Sequence, residues 1–138
     1  MLQKFFNRLF HKPIVKEIET RTLDNVPVDK SKLTGIDFEF LITPSDIDIK
    51  AVDFDNIMTP DSFSWTKTIK DGWPFYQVDN DEFCYSWEPP GIQMTFNKSI
   101  KYDKAKLIAD QVVTKIQKYT KTEIQLIFIM TDKIKRFD

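Results

Sequence analysis

The chain has 138 residues, 41% of them hydrophobic and 30% charged, and its formal net charge is −1. This is the size and balance of one folded domain, which excludes a wholly disordered chain. The three glycines are too far apart for a glycine-rich phosphate loop, and one cysteine with one histidine excludes an internal disulfide and the usual zinc sites.

The first twelve residues, MLQKFFNRLFHK, have the pattern of a short amphipathic helix. Their apolar residues recur at the spacing of one helical face, and Pro13 follows where a helix would stop. Two interpretations stay open. The segment caps the hydrophobic core, or it contacts a membrane surface or a partner, and then only weakly because it is short.

Basic residues at three positions of this segment interrupt the apolar run that a signal peptide would need. The sequence also lacks a run of about eighteen apolar residues, so it predicts no spanning helix. Together with the single thiol, these features lead us to expect a cytoplasmic protein.

Residues 14–97 are predicted to form strands and hairpins. Strands are expected at 14–21, at 36–43, where apolar and acidic residues alternate, and at 46–55, where the alternation changes phase at Val52 and suggests a bulge. Asp71-Gly72 is a two-residue hairpin signal, and residues 73–78 would be the returning strand.

The stretch NDEFCYSWEPPGIQMTF, residues 80–96, predicts a second hairpin. Phe83, Tyr85 and Trp87 fall on one face of its first strand, and the apolar residues of its second strand alternate in the same way. The Pro-Pro-Gly between them has the chemistry of a turn. Most of these aromatics are therefore expected in the core, and the interleaved carboxylates on the solvent face.

The C-terminal part predicts a helix at 103–120, with Asp103 as its N-cap, and then an apolar strand at 123–131. The whole chain, 1–138, is therefore predicted to be a single α+β domain. It would contain a mainly antiparallel sheet of about six or seven strands, one long helix packed on one face, and the short N-terminal helix.

Charge is distributed unevenly along this predicted domain. Residues 37–90 carry three basic and twelve acidic residues, net −9, whereas residues 1–36 carry net +3 and residues 91–138 net +5. Five of the carboxylates fall at alternate, outward positions of predicted strands, and four aromatic side chains could anchor a partner beside them. The candidate partner-binding residues are Asp37, Glu39, Asp48, Trp73, Tyr76, Glu82, Tyr85, Trp87 and Glu88.

A solvated face is one account of such carboxylates. An uncompensated acidic face would also attract a basic protein partner and accelerate its association. Nucleic-acid binding is not expected, because the lysines of the late helix are spread around it without an aromatic platform.

Catalytic, cofactor and metal sites are also not expected. Two Asp-x-Asp pairs, Asp46/Asp48 and Asp53/Asp55, could offer oxygen ligands, but the other positions of an EF-hand are missing. A Cys84–His11 pair has no indicated third group. A small enzyme or ligand-binding domain, with an aromatic-lined pocket between sheet and helix, remains the alternative to a binding module.

Over its whole length, the general character of the chain resembles that of small immunity proteins of polymorphic or contact-dependent toxin systems. Orphan gene-cassette proteins look similar. The likeness rests on the opening MLQKFFNRLFHK and the acidic α+β body without catalytic motifs. It implies a non-enzymatic cytoplasmic protein that neutralises a toxin by binding it, and an acidic face would suit a basic toxin domain. No site residue is carried over from this resemblance.

Overall fold

A computed structural model describes residues 17–20 and 29–131 of the chain. The predicted N-terminal helix at 1–12 and the last seven residues lie outside these ranges. The helices are α1 (Ala51–Ile57) and α2 (Tyr102–Thr120), and a single 3-10 turn covers Lys30–Lys32. The strands are β1 (Glu17–Thr20), β2 (Phe38–Thr43), β3 (Thr66–Lys70), β4 (Trp73–Val78), β5 (Asp81–Glu88), β6 (Gly91–Phe96) and β7 (Gln125–Met130).

The described strands form one sheet in the order β1-β7-β2-β6-β5-β4-β3. The pairing of β1 with β7 is parallel, and all other neighbours are antiparallel. Strands β3 to β6 follow one another through two-residue turns, while β2 and β7 join segments far apart in sequence. The predicted α+β class, the mainly antiparallel sheet and the long helix in the C-terminal half are confirmed.

The hydrophobic core lies between the sheet and α2. Alternate residues of the central strands point to one face, as period-two strands require, and the apolar stripe of α2 meets them. Each fully buried side chain of this kind contributes about 1.5–3 kcal/mol relative to an exposed one. The main contributors are Phe38, Phe40, Ile42, Phe83, Met94, Phe128, Ile108, Val112 and Ile116.

The strand predicted at 46–55 is wrong. Residues 47–50 form a connection, and Ala51–Ile57 is the helix α1. Ile47 is buried and Ile49 packs against the core, which explains the alternating start of this segment. The phase change at Val52 marks the beginning of a helix and not a bulge, because Phe54, Ile57 and Met58 follow at helical spacing.

The predicted start of the long helix also needs a correction. Lys101 is the N-cap of α2 and makes no side-chain capping bond, while Asp103 lies in the first turn. An acidic residue there still interacts favourably with the helix dipole.

Both predicted hairpins form, although the turn of the second is shorter than the predicted Pro-Pro-Gly, because Gly91 belongs to β6. The Asp71-Gly72 turn has positive φ at both residues, 52° and 79°, as a type I′ turn requires. The turn between β5 and β6 is Pro89-Pro90, with Glu88 opposite Gly91.

The backbone of residues 34 and 35 lies close to that of residues 97–101, just before α2. Gly35 donates its N–H to the carbonyl of Ile100 at 2.9 Å, and Thr34 bridges to Lys101. A Cβ atom at Gly35 would lie 1.8 Å from the carbonyl oxygen of Asn97, so only glycine fits there. None of the described helices is long and apolar enough to span a membrane.

Candidate functional site

Strands β4 and β5 pair over only three residue pairs and then separate. Their ladder ends at Tyr76 opposite Phe83, and continuing the register would place Pro74 opposite Tyr85. Proline has no N–H to give to that ladder position. The indole Nε1 of Trp73 instead donates to the Tyr85 carbonyl oxygen at 3.1 Å. The separation of the two strands opens a cleft at this end of the sheet.

The cleft is lined almost entirely by aromatic rings and proline. It encloses about 390 Å³ and adjoins a more open hollow of about 490 Å³. The two share several walls, and we call them together the aromatic cleft. The rings and proline that line it are Phe54, Trp73, Pro74, Tyr76, Tyr85 and Trp87, and the open end adds Asp48, Asp55 and Lys67.

Helix α1 covers part of this cleft. The ring of Phe54 contacts Tyr85 edge-on at 6.3 Å between centroids and contacts Trp87 at 5.6 Å. The hydroxyl of the buried Tyr85 donates to the carbonyl of Met58 at 2.8 Å, which ties the end of α1 to β5. The helix is therefore fixed to the sheet through the same residues that form the cleft wall.

A polar cluster lies at the open end of the cleft. The Tyr76 hydroxyl donates to Asp55 Oδ1 at 2.6 Å, and Lys67 Nζ lies 3.1 Å from Asp55 Oδ2. Partial burial acts to raise the pKa of Asp55, but the hydrogen bonds from Tyr76 and Lys67 outweigh it and lower this pKa. Burial and the Asp55 charge raise the pKa of Tyr76. At neutral pH the pair is therefore a carboxylate and a protonated phenol.

Exposed apolar side chains are found on the elements that bound this cleft, and two of them, Trp73 and Trp87, line it. Five large hydrophobic residues of the described part of the chain are strongly exposed, and four of them lie on α1 and strands β3 to β5, which bound the cleft. Those four are Val52 at 84%, Ile69 at 58%, Trp87 at 48% and Trp73 at 47% exposure. Single exposed apolar residues are ordinary, whereas a contiguous apolar patch is typical of interaction surfaces.

The four predicted aromatic anchors occupy the same cleft but differ in exposure. Trp73 and Trp87 are both about half exposed on its walls. Tyr76 and Tyr85 are 1% and 5% exposed, because their strand face lies under α1 and the core. These two tyrosines shape the cleft floor and are not available as exposed anchors.

The five predicted carboxylates do not form a single outward field. Glu39, Glu82 and Glu88 lie on the sheet face opposite α2, but Lys70 pairs with Glu82 at 2.8 Å. Glu39 accepts a hydrogen bond from Gln93, and Glu88 accepts one from Ser86. The charge of this face is therefore partly compensated.

The other two carboxylates lie elsewhere. Asp37 is buried and accepts the backbone N–H of Thr34 at 2.9 Å, since it closes the turn that enters β2. Asp48 belongs to the connection before α1, where the sequence predicted a strand, and it lines the aromatic cleft on the opposite side of the sheet.

Sequence reasoning missed the contribution of α1, with Phe54 and Asp55, and that of Lys67 and Ile69 on β3. The helical spacing after Val52 was a signal for α1. The cleft itself had a weaker signal, a proline one residue after the start of a predicted strand.

Of the two Asp-x-Asp pairs, Asp53 and Asp55 are engaged in structural contacts. Asp53 accepts the hydroxyl of Tyr119 at 2.8 Å, and no group of three or more His, Cys, Asp or Glu side chains within 17–20 and 29–131 is arranged to hold a metal ion. Burial, and then the neighbouring Glu82, raise the pKa of the Cys84 thiol, the opposite of the shift that activates a nucleophile. His11 lies outside the described residues.

Comparison with known proteins gave no relative. No family model, curated protein or solved structure matches the chain. The site must therefore be interpreted from its own geometry.

Proposed function

We propose that the protein is a non-enzymatic protein-binding module that holds its partner at the aromatic cleft. The observation that carries this proposal is that two half-exposed tryptophans, Trp73 and Trp87, line one concave site. The exposed Val52 and Ile69 lie on elements that bound it. Tryptophan is enriched among residues that dominate binding energy, because it buries a large area at a small entropic cost.

The anchoring of the cleft supports a preorganised surface. The hydrogen bonds from Trp73 to Tyr85 and from Tyr85 to Met58 fix the two walls relative to each other. A wall that is ordered before binding loses little conformational entropy when the partner arrives. The rigid rings therefore suit a specific contact.

The resemblance to immunity proteins suggests the kind of partner. In that proposal the partner is a toxin domain, and binding at the cleft neutralises it. The net charge of −9 on residues 37–90 would accelerate the association of a basic domain, as expected from the sequence. The proposed contact surface is the cleft, however, and not the acidic sheet face that the sequence predicted.

A second candidate function is binding of a small ligand. The volume of about 390 Å³ falls within the range of ligand pockets, and the lining is aromatic. The cleft lies at the end of the sheet and not between sheet and α2, where the sequence-based alternative placed a pocket. The pKa of Asp55, the carboxylate of this cleft, is lowered, so Asp55 is ionised at neutral pH and cannot act as a general acid.

The experiment is affinity capture with the tagged full-length chain from the cells that produce it, followed by titration of the purified, identified partner. Trp87→Ala should raise the dissociation constant by about 10- to 30-fold, as removal of a hot-spot residue does. Leu107→Ala is the matched control, because Leu107 is 46% exposed on α2, away from the cleft. Its affinity should equal that of the wild type.

Two outcomes would overturn the proposal. If Trp87→Ala binds the partner as the wild type does, the cleft is not the contact surface. If no protein binds saturably while a small molecule does, the second candidate replaces the first. Glu82→Lys and Glu88→Lys separately test the acidic sheet face that the sequence predicted as the contact surface. If these variants lose affinity and its salt dependence, the partner binds at that face and not at the cleft.

A further inference from the structure

We propose that the aromatic cleft receives a cationic side chain, an arginine or a lysine, presented by the protein partner. This inference rests on the proposed protein-binding function and adds the chemistry that the cleft selects. Its geometric basis is that Trp87 lines the same hollow as Asp48 and Asp55, while Trp73 lines the adjoining one, and that Phe54, Pro74, Tyr76 and Trp87 form walls of both.

The side-chain donors of the cleft are mostly used within the protein. The Trp73 indole donates to the Tyr85 carbonyl, the Tyr76 hydroxyl to Asp55, and the Tyr85 hydroxyl to Met58. The Ser86 hydroxyl donates to Glu88. The Trp87 indole, at a half-exposed side chain, is the remaining neutral donor among these walls. A ligand that needs several donors, such as a carboxylate or a phosphate, finds few of them here.

Negative charge at the open end of the cleft is only partly compensated. Lys67 is the basic residue of the lining, and it lies on Asp55 at 3.1 Å. Asp48 is exposed on the same hollow, and no ion pair joins it to a basic side chain of residues 29–131. An incoming cation therefore meets one carboxylate free to receive it and a second that Lys67 holds in place.

The aromatic walls complement such a cation in a second way. A guanidinium or ammonium group over an indole face is attracted by the negative face of the ring, most strongly for tryptophan. The apolar stem of arginine or lysine would lie along Pro74 and Phe54, as these side chains do on apolar surfaces. An apolar side chain of equal length would fill the same volume but leave the Asp48 carboxylate partly desolvated without a partner.

Three small probes test this inference on the full-length chain. Propylguanidinium carries the cation, propylurea is its neutral analogue, and propionate carries the opposite charge. The readout is the chemical shift of the Trp73 and Trp87 indole N–H groups in NMR spectra, assigned through Trp73→Phe and Trp87→Phe. We expect saturable shifts with propylguanidinium, at least tenfold weaker binding of propylurea, and no shift with propionate.

Two variants complete the test. Asp48→Asn changes an exposed side chain and should weaken propylguanidinium binding several-fold, while Leu107→Ala should leave it unchanged. Equal binding of propylguanidinium and propylurea, or an unchanged affinity in Asp48→Asn, would overturn the inference.

The failures of the two proposals can be told apart. If an identified partner depends on Trp87 but replacement of each arginine and lysine in its contact segment has no effect, the protein-binding role stands and the cationic side chain is wrong. If propylguanidinium binds but no protein partner does, the cleft takes a free organic cation and the proposed function is wrong.

Discussion

The indole Nε1 of Trp73 lies 3.1 Å from the carbonyl oxygen of Tyr85 and donates to it. A side chain thus supplies the hydrogen bond that Pro74 cannot give from the backbone. Where the indole takes the place of a backbone donor, β4 and β5 no longer pair, and Trp73 forms one wall of the cleft. Local stability and the shape of the cleft therefore depend on one contact.

Replacing Trp73 by phenylalanine should lower the free energy of unfolding by about 1 kcal/mol, because a part-buried carbonyl loses its donor while most of the apolar contact remains. Urea unfolding followed by circular dichroism measures this. Trp87→Phe is the control, since no hydrogen bond of the Trp87 indole to the described protein is lost. Equal destabilisation by both changes would contradict the structural role of the Trp73 indole.

The Asp55–Tyr76 pair predicts a pH dependence on the acid side. The folded-state pKa of Asp55 is lowered, so its contribution to stability is present above its unfolded pKa of about 4 and is lost as pH falls through the folded value. Tyr76→Phe removes one hydrogen bond and should raise the pKa of Asp55. Carbon-13 NMR titration of the Asp55 carboxyl group checks this, and an unchanged titration would refute it.

The same pair predicts a dependence on the alkaline side. The folded-state pKa of Tyr76 is raised by burial and by Asp55, so its contribution is present below its unfolded pKa of about 10 and is lost as pH rises toward the folded value. The wild type should lose stability above about pH 10 more steeply than Tyr76→Phe. Urea unfolding at a series of pH values compares the two slopes.

Two glycines should respond differently to alanine. A Cβ at Gly35 would overlap the Asn97 carbonyl oxygen, so Gly35→Ala should cost at least about 3 kcal/mol or prevent folding. Gly72 has φ of 79° with nothing within 4 Å of an added Cβ, so Gly72→Ala should cost only about 1 kcal/mol. Thermal and urea unfolding measure both, and similar losses would show that the backbone near Gly35 can move.

Neighbouring residues of α2 provide the matched test of the core. Ile108 is fully buried between α2 and the sheet, and Ile108→Ala should cost about 2–5 kcal/mol. Leu107 is 46% exposed, and Leu107→Ala should change stability by less than about 0.5–1 kcal/mol. A large effect at Leu107 would indicate that this side chain has a contact absent from the described residues.

The sheet was largely predictable because its signals are local. Alternation along residues 36–43 and 81–96 follows directly from one face being buried, and Asp71-Gly72 specifies a hairpin by its dihedral preferences. The helix α2 has nineteen residues of consistent apolar spacing, which leaves little ambiguity.

The region before β3 was less predictable. Ile47 and Ile49 alternate like a strand but are inward side chains of a short connection, and α1 has only seven residues. A helix of two turns gives too short a pattern to outweigh an apparent alternation, and its stability comes from tertiary packing of Phe54 on the aromatic cleft.

The candidate site could be predicted in its residues but not in its shape. Trp73 and Trp87 were expected to anchor a partner, and they lie on one cleft, although partner binding itself stays a prediction. The charged part of the expected surface depended on every acidic residue occupying an outward strand position, which fails for Asp37 and Asp48. The point at which β4 and β5 separate depends on their register and on the missing N–H of Pro74. Hydrophobic periodicity carries no information about either.

The position of β7 has a consequence for how the chain is made. Strand β7 is inserted between β1 and β2, so that Glu17 lies beside Leu126 although nearly the whole chain separates them. On the ribosome the meander β3 to β6 can assemble from its own short turns. Strand β1 must wait for β7, and a chain released before residue 125 would leave an unpaired strand edge open to aggregation.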